Sequence, residues 1–341
     1  MRKNKRSIAD MWWIWPLYIV MLIIVVYVST KLAKYVDLLE HRTKVSGAML
    51  GGVLLAGITS LPELITSITG ALINEPDMTQ GNILGSNLFD IAIIGALLLF
   101  YIKKVRSAKL TKANGAFLWM CTLITALILI FVVFKVSIVI PFINVNFLSL
   151  FCIALYVLSL FTSSNDETSV SGELIEQGRE ATITTKQVII RFVICAIILV
   201  IVSVVITLLS DIIADTYGLG KGLAGALFLG IATSLPEIVS SFALLRLGNF
   251  NTAMSDLVGS CLFNYMVISI ADVFYFSGTV FRMDLQSVYL GSCLLGAFLF
   301  TWLYYYLKRI KPKQSVLTTV LFGIAILSTY LVFLSLSAFV K

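Results

Sequence analysis

The pentapeptide TSLPE occurs twice in this chain, at Thr59–Glu63 and at Thr233–Glu237, each time inside a long apolar run. A proline followed by a glutamate is costly in a segment long enough to cross a bilayer. The proline removes an N–H from the helix ladder, and the carboxylate needs a partner that lipid cannot supply. The carbonyls freed at such a break cannot face hydrocarbon, so both breaks must line protein or a wet cavity.

Ten apolar segments are long enough to span, each needing about 20 residues. They cover 11–33, 46–73, 78–101, 113–134, 138–161, 187–210, 219–246, 251–276, 284–308 and 315–339. Pro141, Asn144 and Asn146 interrupt the start of the fifth. Charged residues make up only 13% of the 341 and apolar residues 59%, against about 25% charged in a soluble domain. The reading is an all-α integral membrane protein with membrane lipid as its surroundings. The tail MRKNKRS and the apolar run after it resemble a signal peptide, but the run is long and no A-x-A site follows, so it is read as the first span.

The net charge of +7 does not indicate nucleic-acid binding, because the basic residues sit in short loops. Alternating the loops puts seventeen of the 25 Lys and Arg on one side, among them Lys103, Lys104, Arg106, Lys308 and Arg309. The positive-inside rule makes that side cytoplasmic and both termini extracellular in the cell membrane; the basic N-terminal tail alone pulls the other way. All five cysteines lie in apolar runs without a CxxC, and His41 is the single histidine, so neither disulfides nor a thiolate or histidine metal centre is expected. Trp12, Trp13 and Trp15 read as interface anchors.

A polar stretch over 162–186, with Asp166, Glu167, Glu173, Glu176 and Glu180, reads as a cytoplasmic linker. It divides the chain into 1–161 and 187–341, five spans each. Five is odd, so two homologous halves insert in opposite orientations, as in many secondary transporters. The halves align without gaps: GGVLLAGITSLPELITS and later GNILGSNLFD in the first, GALFLGIATSLPEIVSS and later SDLVGSCLFN in the second. Thr59, Ser60, Glu63, Ser86 and Asp90 pair with Thr233, Ser234, Glu237, Ser260 and Asn264 at a constant offset of 174. Ser86 and Asp90 are four apart, as are Ser260 and Asn264, so each pair shares a helix face. The ten residues assemble three carboxylates, one amide and six hydroxyls near mid-membrane. These are hard oxygen ligands suited to Na⁺ or Ca²⁺.

A proline kink in a membrane helix is often only a bend, and Ser67 and Ser241 are as readily packing residues as ligands. Two matched glutamates and an aspartate are different, because an ionised side chain at a helix centre costs at least ~2.5 kcal/mol and needs a cation or proton to stay there. Asp211 and Asp215 read as interfacial. Asp256, aligned with Asn82, reads as a helix-start residue near the interface, with a place flanking an ion pathway as the alternative, and Asp272 aligns with Leu98 and has no acidic counterpart.

TSLPE with GSNLFD, and TSLPE with GSCLFN, resemble the α-repeats of the sodium/calcium exchanger family, within the cation/calcium antiporter superfamily. The likeness is strongest over about 46–100 and 220–275. It implies a transporter rather than an enzyme, with no cofactor beyond the transported ions. It implies exchange of Ca²⁺ for Na⁺ by alternating access, with ion sites between the second, third, seventh and eighth helices and the first and sixth helices sliding over that core. Glu63 and Glu237 would be central ligands, completed by Asp90, Asn264 and the Thr and Ser oxygens. Many prokaryotic relatives carry Asn where this chain has Asp90 and Asp where it has Asn264, and Cys261 stands where GSN supplies Asn. The alternatives are Ca²⁺ or another divalent cation exchanged for H⁺, with a protonated carboxylate pair replacing Na⁺, and a cation channel or membrane sensor. Matched half-sites within one chain favour a transporter over a pore.

Overall fold

The computed structural model describes residues 13–136, 138–140, 145–164, 183–216, 233–281 and 285–339. The chain is an all-helical membrane protein. Among the described residues eight helices are long and apolar enough to cross a membrane, and a bent pair makes a ninth span.

The first half begins with α1 (Ile14–Arg42). A broken span follows, α2 (Gly47–Thr59) and α3 (Leu61–Leu72), bent by 46°. Then come α4 (Pro76–Phe100), a short α5 (Ile102–Ser107), α6 (Lys112–Val133) and α7 (Phe147–Ser164). The second half has α8 (Thr185–Thr216), α9 (Leu235–Arg246), α10 (Phe250–Phe274), α11 (Leu285–Ile310) and α12 (Val316–Phe339). The bounds of α3 and α4 recur residue for residue in α9 and α10 at the offset of 174. The first part of the span expected over 219–246, and most of the polar stretch 162–186, lie outside the described residues.

Two expected segments need correction. The first span, expected to end at 33, continues as helix to Arg42 because its polar-looking end is buried on one face: Leu32, Ala33, Val36, Leu39 and Glu40 are all covered. The fifth, expected over 138–161, starts as helix only at Phe147. Val139–Ile140 and Val145–Asn146 instead form a short antiparallel pair, β1 and β2, flanking the stretch where Pro141 and Asn144 interrupt the helical pattern.

The apolar interior is divided. One cluster joins α4, α6, α7, α10, α11 and α12, with Leu88, Phe117, Leu262, Tyr265 and Phe298 buried in it. A second joins α1 and α8 to each other and to the edge of that body, through Val25, Leu32, Val36, Leu199 and Ile206. The outward faces of α1, α8 and α12 are apolar, with Ile23, Tyr27, Ile197, Ile201 and Leu317 exposed, as a lipid-facing surface requires. Trp13 and Trp15 are also exposed; Trp12 and the side chains of Asp211 and Asp215 lie outside the described residues.

Close backbone approach holds the site region together. Leu50–Leu55 within α2 is a widened π-type turn, a geometry that recurs at functional sites. There a Cβ added at Gly259 of α10 would fall on the main-chain carbonyl of Gly52. Only glycine permits the two helices to meet so closely.

Candidate functional site: paired helix breaks at the molecular axis

The two breaks have the same backbone. Ser60 adopts φ −92°, ψ 11° and Ser234 φ −85°, ψ 6°. Each is followed by a proline in the first turn of the next helix, α3 or α9, where its missing N–H costs nothing. Pro62 and Pro236 therefore start helices as well as ending them. Glu63 and Glu237 fall in those first turns, where the exposed N–H groups and the helix dipole favour a carboxylate.

All ten residues singled out from the sequence are buried, none more than 4% exposed. The halves meet reciprocally. The Ser60 hydroxyl donates to Glu237 Oε1 at 3.1 Å, and Glu237 also interacts with Thr59. In the mirrored relation Glu63 interacts with Thr233. Glu63 and Glu237 lie within electrostatic reach of each other, and Asp90 within reach of both.

The third helix of each repeat repeats the pattern. Asn87 Nδ2 donates to the Cys261 carbonyl at 3.2 Å, and the Cys261 thiol points back at the Asn87 carbonyl at 3.7 Å. These residues are themselves separated by 174 positions, so they touch across the axis relating the repeats. Asn264 Nδ2 donates to Asn87 Oδ1 at 2.9 Å, while Cys261 Sγ stands 4.0 Å from Asp90 Oδ2. Contacts in which each member meets its partner's equivalent are the signature of a two-fold relation.

Asn87 is a member of this constellation that the sequence reading did not single out, although it lies next to Ser86 in the GSN motif. Asp256 is completely buried, in the second turn of α10. Asp272 is a structural clasp: Oδ2 accepts from Asn146 N and the Ser149 hydroxyl, and Oδ1 from the Thr279 hydroxyl and Val280 N, all at 2.7–3.0 Å.

What remains unmatched defines the chemistry. Glu63 Oε2, Glu237 Oε2, Asp90 Oδ1, Asn264 Oδ1 and the hydroxyls of Ser86, Ser234 and Ser260 are buried without a hydrogen-bond partner among the described residues. Buried oxygens left this way are costly. Seven of them, drawn from the paired segments of both repeats, are oxygens of the kind a desolvated cation takes as ligands. Among the described residues no three His, Cys, Asp or Glu side chains group closely enough to hold a metal ion, so Glu63, Glu237 and Asp90 do not form a ligand cluster by themselves.

A profile of the family described as "Sodium/calcium exchanger protein" matches residues 13–165 and 187–339. The chain is 23% identical to the inner membrane protein YrbG of Escherichia coli (strain K12) over 257 residues, 74% of this chain and 77% of that one. It is 25% identical to the putative antiporter CaxA of Alkalimonas amylolytica over 251 residues, 72% and 76% of the two chains. Its fold superposes on the sodium-calcium exchanger NCX_Mj soaked with 2.5 mM Na⁺ and 0.1 mM Ca²⁺, with a TM-score of 0.70, 16% identity, and coverage of 97% and 99%. The same exchanger soaked with 2.5 mM Na⁺ and 0.1 mM Sr²⁺ gives 0.70 at 17% identity.

Proposed function

The chain belongs to the sodium/calcium exchanger family, and from that premise we propose that it is an antiporter exchanging Ca²⁺ for Na⁺ at the paired helix breaks. The observation that carries the proposal is the set of seven unpartnered buried oxygens, shared between the two repeats. Glu63, Glu237 and Asp90 are the charged ligands. Asn264, Thr59, Ser60, Thr233, Ser234, Ser86 and Ser260 supply neutral oxygens.

The charge balance gives the exchange its logic. Three ionised carboxylates carry −3, and one Ca²⁺ leaves −1. Na⁺ ions taken up by the same oxygens neutralise the site to a similar extent. Ca²⁺ and a full set of Na⁺ do not fit together, because like charges a few ångströms apart repel strongly in a low dielectric. The empty site, at −3, resists a passage through the barrier. Only loaded states cross, and the two cations therefore move in opposite directions. Alternating access opens the site first to one side and then to the other as α1 and α8 shift on the remaining helices. The two helices supply most of one apolar cluster, closed by a few residues of α2, α9 and α10, and that supports this division. We place both termini outside the cell, following the loop charges.

The counter-ion is tested by ⁴⁵Ca²⁺ uptake into proteoliposomes at matched pH, with Na⁺ or choline inside, and again with a pH gradient and no Na⁺. The expected result is uptake that requires internal Na⁺. Uptake indifferent to Na⁺ and driven by the pH gradient would replace Na⁺ by H⁺ as the counter-ion. Saturation and dependence on a trans ion separate an exchanger from a channel.

A further inference from the structure

The two repeats differ at one position beside the central site, half-buried in the first and completely buried in the second. In the first, Asn82 lies one helical turn before Ser86 on α4. Its Nδ2 donates to the Ser67 hydroxyl at 3.0 Å and to the main-chain carbonyl of Glu63 at 3.3 Å. At the same offset the second repeat has Asp256, Ser241 and Glu237. An ionised carboxylate has no hydrogen to give, so Asp256 cannot make the bond to the Glu237 carbonyl that Asn82 makes to that of Glu63.

Ser240 compensates only in part. Its hydroxyl lies 2.6 Å from Asp256 Oδ2 and 3.1 Å from the Glu237 carbonyl, and its single proton serves one acceptor at a time. The Ser241 hydroxyl is 3.3 Å from the same Oδ2. Asp256 Oδ1 has no hydrogen-bond partner among the described residues, and the side chain is completely buried. The charged groups that act on Asp256 and its surroundings, Glu237 and Asp90, are carboxylates as well. Five oxygens thus share two hydroxyl protons around an acidic side chain that no Lys, Arg or His pairs with among the described residues.

We propose that Asp256, with Ser240, Ser241 and the Glu237 carbonyl, forms a second cation site that takes a Na⁺ ion, standing where the Asn82 amide stands in the other repeat. The ligands are hard oxygens, which select an alkali or alkaline-earth ion over a soft metal. A single carboxylate is neutralised by one positive charge, so a monovalent ion leaves no excess. Asp256 precedes Ser260 by four residues and Asn264 by eight, so the site lies about 6 Å along α10 from the first and about 12 Å from the second, on the same face. It adjoins the central site toward the start of α10. Asn82 occupies the opposite flank, where an amide fills the place without an ion. The two sides of the transporter would then differ in the number of ions they hold.

This inference rests on the reading of the central residues as a Na⁺ and Ca²⁺ site, and the test separates the two. Thermal unfolding of the full chain in lipid nanodiscs is followed as Na⁺ replaces choline at constant ionic strength, for wild type and Asp256→Asn. The slope of Tm against the logarithm of Na⁺ concentration scales with the number of ions bound. Asp256→Asn is expected to lower that slope by the share of one ion, and to raise Tm in Na⁺-free buffer because an amide now supplies the missing hydrogen. The Ca²⁺-induced rise in Tm, read on the same samples, reports that the central site has folded. An unchanged Na⁺ slope with an intact Ca²⁺ response would overturn the second site and leave the exchange reading standing. No response of wild type to either ion would overturn both. If Asp256→Asn does not fold, Ser240→Ala with Ser241→Ala removes two of the ligands, and the same loss of Na⁺ slope is expected.

Discussion

Asp90 and Asn264 occupy equivalent places in the two repeats, and each faces the Asn87–Cys261 contact at the axis. Exchanging them keeps three carboxylates in the same volume. Asp90→Asn alone leaves two, and is predicted to weaken Ca²⁺ binding at least tenfold, a loss of about 1.4 kcal/mol. The double variant Asp90→Asn with Asn264→Asp is predicted to recover most of that loss, as read by Ca²⁺ titration calorimetry. Recovery would mean that carboxylate number governs affinity more than placement does. Asp272 poses the opposite case. Its four accepted hydrogen bonds tie β2, α7 and the turn after α10 together. Asp272→Ala is predicted to cost about 1–3 kcal/mol by stranding those donors, seen as a lower Tm with Ca²⁺ affinity unchanged. Nothing in the sequence separated Asp272 from the site carboxylates except that its counterpart, Leu98, is apolar. Glu63, Glu237 and Asp90 were legible because an ionisable residue in an apolar run needs a reason, and because two of them recur. Asn87 was not, since a buried asparagine is a common packing residue and its partner at the offset is a cysteine.

At the scale of the helices, the offset of 174 was readable as aligned letters, and it reappears as matched bounds of α3 with α9 and α4 with α10. Hydropathy located most spans because lipid imposes one length on all of them. It misjudged α1, whose buried end reads as polar, and α7, whose apolar approach is partly β-strand. The meeting of α2 and α10 at Gly52 and Gly259 was beyond the sequence, since glycine letters do not say which backbone they admit. Gly259→Ala puts a methyl group onto the Gly52 main chain, where no flexible side chain can yield. The variant is predicted to lose a few kcal/mol of stability, appearing as loss of the monodisperse peak in size-exclusion chromatography. Gly248→Ala is the control for added side-chain volume, because a Cβ there meets nothing within 4 Å. Its positive φ of 89° still makes a modest loss of Tm the expected result.

For the molecule as a whole, the α1–α8 pair packs on the remaining helices along a seam lined by Leu50, Leu55, Leu244 and Ala253, which belong to the same apolar cluster as the pair. The seam is fastened at one end. Glu40 Oε2 accepts from Asn249 Nδ2 and the Thr252 hydroxyl, both at 2.7 Å, and Asp37 Oδ1 accepts from the same amide at 3.0 Å. These bonds dock the end of α1 onto the start of α10. If the pair moves as a unit during exchange, a covalent bridge there must stop transport and spare binding. Glu40→Cys with Thr252→Cys, joined by a short bismaleimide, is predicted to abolish Ca²⁺ flux while the Ca²⁺-induced rise in Tm persists. In the proposed mechanism one oxygen site, built from both repeats, carries both ions. Its most direct test is ⁴⁵Ca²⁺ uptake into Na⁺-loaded proteoliposomes by folded Glu63→Gln and Glu237→Gln, measured beside wild type. Each single substitution is expected to abolish Na⁺-dependent uptake. Full uptake by either variant would contradict it, because a site shared between the repeats cannot survive the loss of one half's glutamate.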